Sequence, residues 1–318
     1  MSSAFDDVLT SPEPTEEELT EEEQAQIQED IIDGFDTGSS SRGKLIPFSY
    51  YGGKYKHLNW LLPLLPQKKA YVEPFGGSGV VLLNREQSDV ETFNDTFEAV
   101  TTFFKVLRDQ PDELLRQITL SPYSERDFEQ AVDSTPDSDL EKARQFFLKV
   151  NQSYNNDMEN PSWSYNKSYS SRGVSKKVSN YQAKPRRLQP IADRLKDVQI
   201  TNRDAVDVIE TFDCEDGLIY CDPPYPPETR SSGDDYVFEM SVDDHREMAS
   251  TLRACEADVA VSSYSSELYH ELFVEHGWSR VDGEEKGLAS SDDGSRSKTE
   301  SLYVNYEVTD EMLVKAFE

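Results

Sequence analysis

The sequence predicts an α/β fold in which helices cover both faces of a mainly parallel sheet. From residue 44 onward, short apolar runs alternate with amphipathic stretches of helical period, and three glycines follow the first of these runs. Repeated strand–helix units of this kind indicate a parallel sheet. Because ligands of such sheets bind outside the carboxyl ends of the strands, we expect the functional side chains to follow the predicted strands directly.

The first part of this pattern ends near residue 153. The sequence predicts a strand at 70–73, a helix from residue 80, a strand at 89–95, and helices at 96–108, 124–132 and 138–153. In the last of these helices, Leu140, Phe146, Phe147 and Val150 make one apolar face.

The strand–helix alternation then resumes and continues almost to the end of the chain. Strands are predicted at 198–202, 218–222 and 259–261, and helices at 205–212, 243–254 and 265–276. Residues 278–284 and 301–308 have the pattern of a closing hairpin. Residues 226–240 have no periodicity and are predicted to be a loop.

The net charge of the chain is unusual for a protein that acts on nucleic acid. The 318 residues include 32 Lys and Arg against 62 Asp and Glu, a formal net charge of −30. Proteins that bind nucleic acid are usually basic, because phosphate contacts dominate their affinity. The acidic excess indicates either adaptation to very high salt, where charges are screened over about 3 Å at 1 M, or a DNA mimic. We favour salt adaptation, because the acidic residues are scattered singly over the chain.

The composition of the amino-terminal residues, the length of the apolar runs and the cysteine spacing argue against several other classes of protein. Residues 1–43 contain 13 acidic residues and one basic residue, and we predict a disordered acidic tail there. No apolar run reaches the ~18 residues of a membrane span, and the amino terminus lacks a signal-peptide pattern, so we expect a soluble, cytoplasmic protein. Cys214, Cys221 and Cys255 lack CxxC spacing, so the sequence predicts neither a disulfide framework nor a metal site.

One internal segment has the opposite charge from the rest of the chain. Residues 160–190 contain seven basic residues and no acidic one, interleaved with Trp163, Tyr165, Tyr169 and Tyr181. We interpret the segment as a surface for the phosphates and base edges of nucleic acid, although a flexible basic loop would have the same composition. The predicted DNA-binding residues are Lys167, Arg172, Lys176, Lys177, Lys184, Arg186 and Arg187.

The motif Asp222-Pro223-Pro224-Tyr225 follows the apolar run of a predicted strand. It places a carboxylate, a rigid loop with accepting carbonyls and an aromatic ring at one rim of the sheet, because proline fixes φ and removes a donor. These groups suit a planar base that carries an exocyclic amine. Taken alone, the motif could equally be a turn that ends a strand.

Two glycine-containing motifs lie upstream. Glu73-Pro74-Phe75-Gly76-Gly77-Ser78-Gly79 stands between a predicted strand and a predicted helix, where glycines let the backbone approach a ligand closely. The motif lacks the Lys-Ser/Thr ending of a phosphate loop, which argues against a nucleoside triphosphate. Tyr50-Tyr51-Gly52-Gly53-Lys54 adds a glycine pair and a cation. Asp95 ends the next predicted strand, where it would bind a ribose hydroxyl or cap the following helix.

In this order, the three motifs resemble those of the DNA adenine methylase family. The resemblance covers about residues 44–308 and implies a Rossmann-like, S-adenosylmethionine-dependent methyltransferase sheet with an inserted, mainly helical target-recognition domain. It divides the chain into a catalytic part (44–117), a target-recognition part (118–190) with the basic segment, and a second catalytic part (191–318). It implies double-stranded DNA as partner, no metal, no membrane, and a monomer or weak dimer.

The resemblance also implies roles for individual residues. Gly76, Gly77 and Gly79 would approach the methionine end of S-adenosylmethionine, Tyr51 and Lys54 would close over it, and Asp95 and Asp204 would bind its ribose and adenine. The full set of predicted cofactor-binding residues is Tyr51, Gly53, Lys54, Glu73, Pro74, Phe75, Gly76, Gly77, Gly79, Asp95, Asp204 and Asp222.

The implied reaction is methylation of the N6 amine of a flipped-out adenine. The predicted catalytic residues are Asp222, Pro223, Pro224 and Tyr225: the Asp222 carboxylate and the Pro223 carbonyl would accept the amine hydrogens, and Tyr225 would stack on the base. Methylation of cytosine N4 or of RNA, an acidic DNA mimic and a non-enzymatic DNA-binding protein remain alternatives. His245 follows two acidic residues at the start of a predicted helix, and we interpret it as a capping or packing residue.

Overall fold

Seven strands in the described part of the computed structural model form one sheet. They are β1 (Ala70–Glu73), β2 (Val90–Asn94), β3 (Val198–Thr201), β4 (Gly217–Cys221), β5 (Asp258–Tyr264), β6 (Ser279–Asp282) and β7 (Glu300–Val304). Their order across the sheet is β3-β2-β1-β4-β5-β7-β6. The predicted α/β class and the predicted strands are confirmed.

All strands of the sheet are parallel except β7, which runs antiparallel to both of its neighbours. The chain moves outward from β1 to β3 and then returns to place β4 on the other side of β1. A crevice opens at the carboxyl ends of the strands where the order reverses in this way, so the crevice lies between β1 and β4. The predicted closing hairpin is the antiparallel pair of β6 and β7.

The structure describes residues 43–48, 50, 53–154, 158, 160–168, 173–226, 229, 239–283 and 299–317. These fall into two units, residues 1–44 and residues 45–318, and every helix and strand described here belongs to the second. The predicted acidic tail up to residue 42, most of the predicted loop at 226–240, and the site residues Tyr51 and Arg172 lie outside the described residues.

The described helices surround the sheet. They are α1 (Leu58–Leu64), α2 (Val80–Asn84), α3 (Glu98–Asp109), α4 (Pro111–Leu120), α5 (Glu125–Asp133), α6 (Asp139–Gln152), α7 (Lys176–Ala183), α8 (Pro185–Leu195), α9 (Ala205–Phe212), α10 (Val242–Ala254), α11 (Glu267–Leu272) and α12 (Asp310–Phe317), with short 3₁₀ helices at Lys54–His57 and Val274–His276. Helices α1, α4, α7, α8 and α12 were not predicted. The predicted helix at 265–276 is divided between α11 and the second 3₁₀ helix.

Two apolar cores lie against the sheet. In one, Phe93 of β2 packs among the phenylalanines of α3 and α6, and ring centroids of Phe93 and Phe104 are 4.8 Å apart. In the other, β4 and β5 meet α9, α10 and α11, with Phe273 and Trp278 rings 4.7 Å apart. Apolar burial on both sides of the strands explains why β4 is buried along its whole length.

The basic segment is more ordered than its composition indicates. Helices α7 and α8 occupy its second half, and α8 turns Leu188, Ile191 and Leu195 into the first core. These residues are spaced at i, i+3 and i+7, which is the spacing of one helix face. Pro185 begins α8, a position where its missing N–H costs no hydrogen bond.

A buried ion pair fastens α8 to the sheet. Glu91 of β2 is 1% exposed, and its carboxylate lies 2.5 Å from the Arg194 guanidinium and 3.3 Å from that of Arg85. Arg194 also donates to the carbonyl oxygen of Leu82 at 2.9 Å. The pair therefore joins β2, α2 and α8 at one point.

We expect Arg194→Met to destabilise the fold, because Glu91 would lose its shortest ionic contact and keep only the longer one with Arg85 and the hydrogen bond from the Ser88 N–H. Removing one partner of a buried pair costs about 3 kcal/mol of unfolding free energy. Urea denaturation followed by circular dichroism measures the change. The control is Arg116→Met on α4, whose exposed pair with Glu113 contributes little. Equal midpoints for the two variants would contradict this prediction.

Candidate active site

A cavity of about 580 Å³ opens at the carboxyl ends of β1, β2 and β4. Residues from six stretches of the chain line it: the motif around Gly53, the glycine motif after β1, the turn after β2, the start of α9, the motif after β4, and the residues around the start of α10. The predicted site residues in its lining are Gly53, Lys54, Glu73, Pro74, Phe75, Gly76, Gly77, Asp95, Asp204, Asp222, Pro223 and Pro224. The tertiary structure thus brings the sequence motifs to one cavity.

The glycine motif needs glycine at two positions for different reasons. A Cβ at Gly76 would come within 2.1 Å of the Phe93 ring, so only glycine allows the loop to lie against β2. Gly79 has φ +64° and precedes α2, a backbone conformation that L side chains rarely adopt. Gly79 is not among the residues that line the cavity, and it shapes the loop from behind.

Asp95 holds the glycine motif against α3. Its Oδ2 accepts from the Gly77 N–H at 2.8 Å, and its Oδ1 accepts from the Phe97 N–H at 2.7 Å. Burial raises the pKa of Asp95 to about 6, and the two backbone hydrogen bonds act in the opposite direction. Asp95 therefore accepts from the N–H of Phe97, which is the N-cap of α3, and is not itself the N-cap of that helix; its carboxylate also lines the cavity.

Asn94 is a structural residue of the site that the sequence analysis missed. Its side-chain amide donates to the carbonyl oxygens of Pro74 and Arg203, and its Oδ1 accepts from the Arg203 N–H and the Thr201 hydroxyl. The fully buried amide therefore joins the ends of β1, β2 and β3. The sequence offered one signal for this structural role: Asn94 is a polar residue at the last position of an apolar strand.

Asp204 and Glu73 both line the cavity and differ in burial. Asp204 is exposed and caps α9 through the Val206 N–H at 2.8 Å. Glu73 is buried and accepts from the Tyr71 hydroxyl and the Leu82 N–H at 3.1 and 3.0 Å. Burial raises the pKa of Glu73 to about 8.

Asp222 ends β4 and carries an ion pair with Lys54. The two charged groups are 2.6 Å apart, and the Asp222 side chain is 19% exposed while that of Lys54 is 4% exposed. Burial raises the pKa of Asp222 to about 6, against the lowering effect of the Lys54 charge. Lys54 thus favours the ionised carboxylate in the place where a ligand amine would meet it.

Tyr225 lies beneath the cavity surface, not on it. The residue is 4% exposed and is not among those that line the cavity. Its ring packs edge-on against Tyr264 at 4.8 Å, the Lys54 ammonium lies 4.8 Å from its centroid, and its hydroxyl donates to Glu300. Glu300 is a second residue that the sequence analysis missed, because it precedes the predicted strand at 301–308.

Most of the chain matches the sequence model of a known protein family. The model for the D12 class N6 adenine-specific DNA methyltransferases matches residues 50–286. The chain belongs to this family. The matched range includes the glycine motifs, the helical part and the motif after β4, so the D12 family assignment covers all the stretches that line the cavity.

Two individual proteins also resemble the chain. Modification methylase StsI of Streptococcus sanguinis is 29% identical over 202 residues, which are 59% of this chain and 30% of that protein, so the match spans under a third of the relative's length. The solved structure of the rRNA methyltransferase aviRa of Streptomyces viridochromogenes aligns over 81% of this chain and 83% of its own, with 12% identity and a TM-score of 0.30.

The predicted DNA-binding residues lie apart from the cavity lining of this D12 family member. Lys167 and Arg186 are exposed, and the Lys177 ammonium lies 6.0 Å from the ring centroid of the exposed Tyr154. The rings of Trp163 and Tyr165 stack at 6.1 Å, close to these cations in sequence. Among the described residues, no group of His, Cys, Asp and Glu is arranged to bind a metal ion.

Other predicted residues have structural partners. Lys184 donates to Asn151 Oδ1, and burial lowers its pKa to about 8. His245 is fully buried in α10 and contacts the Tyr269 hydroxyl through Nδ1 at 3.2 Å, so it is a packing residue. No helix in the described ranges is long and apolar enough to span a membrane.

We expect Glu73→Gln to change how stability depends on pH. An unfolded Glu titrates near pH 4, and folded Glu73 near 8. Between these values only the folded protein keeps the proton, so this group lowers wild-type unfolding free energy by up to ~1.4 kcal/mol per pH unit as pH rises. Urea unfolding should show the variant gaining stability relative to wild type up to pH of about 8.

Glu113→Gln is the control for this measurement. Arg116 lowers the pKa of the exposed Glu113. Glu113 therefore does not make the unfolding free energy fall as pH rises, and Glu113→Gln removes no such fall. A difference between Glu73→Gln and wild type that stays constant across the whole pH range would show that Glu73 does not titrate as proposed.

Proposed function

We propose that this protein transfers a methyl group from S-adenosylmethionine to the N6 amine of adenine in double-stranded DNA. One observation carries the proposal: the Asp222 carboxylate and the Pro223 loop share a cavity with the glycine motif in a chain of the D12 family. A methyl donor bound at the glycines and an amine bound at Asp222 would therefore lie next to each other.

The donor set of the cavity fits S-adenosylmethionine. The ligand has a cationic sulfonium and ammonium, a ribose diol and an adenine ring, and it supplies an electrophilic methyl group. The cavity offers the carboxylates of Asp95, Asp204 and Asp222, the backbone of the glycine motif, and the apolar surfaces of Phe75 and Phe97. Carboxylates whose pKa is raised by burial favour a cationic ligand, because its charge lowers the cost of ionising them.

The Asp222 carboxylate and the Pro223 carbonyl would hold the target amine through its two hydrogens. These hydrogen bonds draw the nitrogen lone pair out of conjugation with the ring and aim it at the methyl carbon. As the new N6–carbon bond forms, the sulfonium carbon–sulfur bond breaks, and the nitrogen then releases one proton. Lys54 keeps Asp222 ionised and therefore able to accept.

The target base must leave the duplex to reach Asp222, since its amine is otherwise inside the stack. Tyr225 follows the accepting groups directly, and we propose that it supports the flipped base. Its ring is packed between Lys54 and Tyr264, so it would contact the base only after this packing changes. The rigid prolines place this ring at a constant distance from Asp222.

The basic segment supports the proposal for DNA as the partner. Its cations provide contacts for phosphates, and the exposed rings of Tyr154 and Tyr165 provide surfaces on which bases can stack. In a chain with a net charge of −30, this concentration of cations marks where a polyanion would bind. The similarity to a streptococcal modification methylase also supports methyl transfer as the activity of this chain.

We expect Asp222→Ala to abolish methyl transfer while S-adenosylmethionine still binds. The variant loses the acceptor for the amine but keeps the glycine motif and Asp95. Incorporation of labelled methyl groups into DNA measures the first effect, and titration calorimetry the second. The control is Asp258→Ala, because Asp258 begins β5 and so lies at the edge of the sheet opposite to the cavity. Turnover by Asp222→Ala at the wild-type rate would overturn the assignment of this residue.

Long-read sequencing of DNA from cells that express the protein would identify the modified base and its sequence context. The proposal requires N6-methyladenine. N4-methylcytosine, or incorporation into RNA alone, would assign the protein to another acceptor, and no incorporation at all would contradict the proposal.

We expect the double variant Arg186→Gln, Arg187→Gln to weaken DNA binding but not cofactor binding. Both residues lie near the start of α8, on the turn that precedes its buried face. Each lost phosphate contact reduces the salt dependence of log Kd by about one. Arg116→Gln, on the surface of α4, is the matched control. Equal losses of DNA and cofactor affinity would show that these arginines are structural.

A further inference from the structure

A buried ionic cluster lies directly behind the cavity and consists of Lys54, Asp222, Tyr225 and Glu300. The Lys54 ammonium is 2.6 Å from Asp222 Oδ1 and 3.6 Å from Glu300 Oε1, and the Tyr225 hydroxyl donates to the same Glu300 oxygen. Glu300 is 6% exposed and is not among the residues that line the cavity. Its effect on a ligand must therefore pass through Lys54 and Tyr225.

The antiparallel direction of β7 explains why Glu300 reaches this place. In a parallel strand, the first residue would lie at the amino edge of the sheet, far from the cavity. Because β7 runs in the opposite direction, Glu300 pairs with Tyr264, the last residue of β5. The start of β7 therefore meets the carboxyl ends of β4 and β5.

The cluster contains more negative charge than its own pairing needs. One ammonium group serves two carboxylates, and a neutral acceptor would satisfy the Tyr225 hydroxyl equally well. Burying a carboxylate is unfavourable unless it is fully paired. The second carboxylate therefore gives the described cluster a net negative charge, which would favour a positive charge that develops nearby.

We propose that Glu300 is a positioning residue for the methyl-transfer reaction, which anchors Tyr225 and Lys54 and adds negative charge behind Asp222. This inference rests on the proposed function. It gives Glu300 a role that differs from the role of Asp222. Asp222 faces the ligand, while Glu300 contacts Lys54 and Tyr225, the two residues that surround Asp222.

Two effects follow during the reaction. When the amine donates one hydrogen to Asp222, Lys54 has a second acceptor within 3.6 Å and remains in place. When the nitrogen gains the methyl group, it becomes transiently cationic, and the excess negative charge of the cluster stabilises that state. The hydrogen bond to Tyr225 meanwhile fixes the orientation of the ring that would support the base.

The charge on Glu300 also affects the titration of Asp222. Burial raises the pKa of Asp222, Lys54 lowers it, and Glu300 raises it further. Several other titratable groups interact electrostatically with Asp222 from the surrounding elements: Glu73 of β1, Tyr220 and Cys221 of β4, Tyr225, Tyr264 of β5 and Tyr269 of α11.

The decisive variant is Glu300→Gln, because the amide keeps an acceptor for Tyr225 but removes the charge. The pH profile of kcat/KM for methyl transfer should fall on its acid side as Asp222 is protonated, at a pH of about 6 in the wild type. We expect the acid limb of Glu300→Gln to shift to lower pH by on the order of one unit. An unchanged limb would overturn the inference.

Glu300→Ala separates the anchoring of Tyr225 and Lys54 by Glu300 from the effect of the Glu300 charge. This variant loses the acceptor as well, so we expect kcat to fall on the order of 100-fold while the KM for S-adenosylmethionine changes little. Asp258→Asn, a carboxylate at the far end of the neighbouring strand, is the control that leaves the profile in place. Equal kcat values for the Gln and Ala variants would contradict the anchoring role of Glu300.

A measurement without turnover separates this inference from the proposed function. In protein labelled with ¹³C at the Asp carboxyl groups, NMR titration reports the pKa of Asp222, and Asp222→Asn identifies its signal. A lower Asp222 pKa in Glu300→Gln supports the coupling even if wild-type protein methylates no DNA, a result that would contradict the proposed function alone. An unchanged pKa overturns the inference even if the protein is an active methyltransferase.

Discussion

The candidate site depends on one buried ammonium group that contacts two carboxylates. Lys54 belongs to a 3₁₀ helix near the start of the described chain, Asp222 to the end of β4, and Glu300 to the start of β7. A buried charge is tolerated only with close partners of opposite sign, so these three stretches cannot move apart without a large cost. The position of the Asp222 carboxylate is therefore set by an interaction that spans most of the sequence.

The opposite wall of the cavity is held in a different way. There the neutral amide of Asn94 joins the ends of three strands, and Asp95 fastens the glycine motif through backbone N–H groups. The part of the lining next to the glycines is thus held by hydrogen bonds to backbone groups, while the part next to β4 is held by an ion pair. A cavity with these two walls suits a ligand that places a ribose and a methionine against backbone and a cationic centre near carboxylates.

Charge is also distributed unevenly along the whole chain. A body with a net charge of −30 would repel DNA, whereas residues 160–190 contain seven basic residues and no acidic one. Part of that segment is fixed to the sheet by the apolar face of α8 and by the Glu91–Arg194 pair. A basic surface with a rigid base can hold a polyanion in a constant orientation relative to the cavity.

The sequence by itself determined the strands, seven of the twelve described α-helices, the two glycine motifs and the group that ends β4, because these features depend on neighbours along the chain. Helix α8 was not predicted, because the basic composition around it obscured the helical spacing of Leu188 and Ile191. Only the tertiary structure decided that Tyr225 is buried and that Glu300 belongs to the site. The physical reason is that both depend on the antiparallel direction of β7, which is set by packing between strands far apart in the sequence.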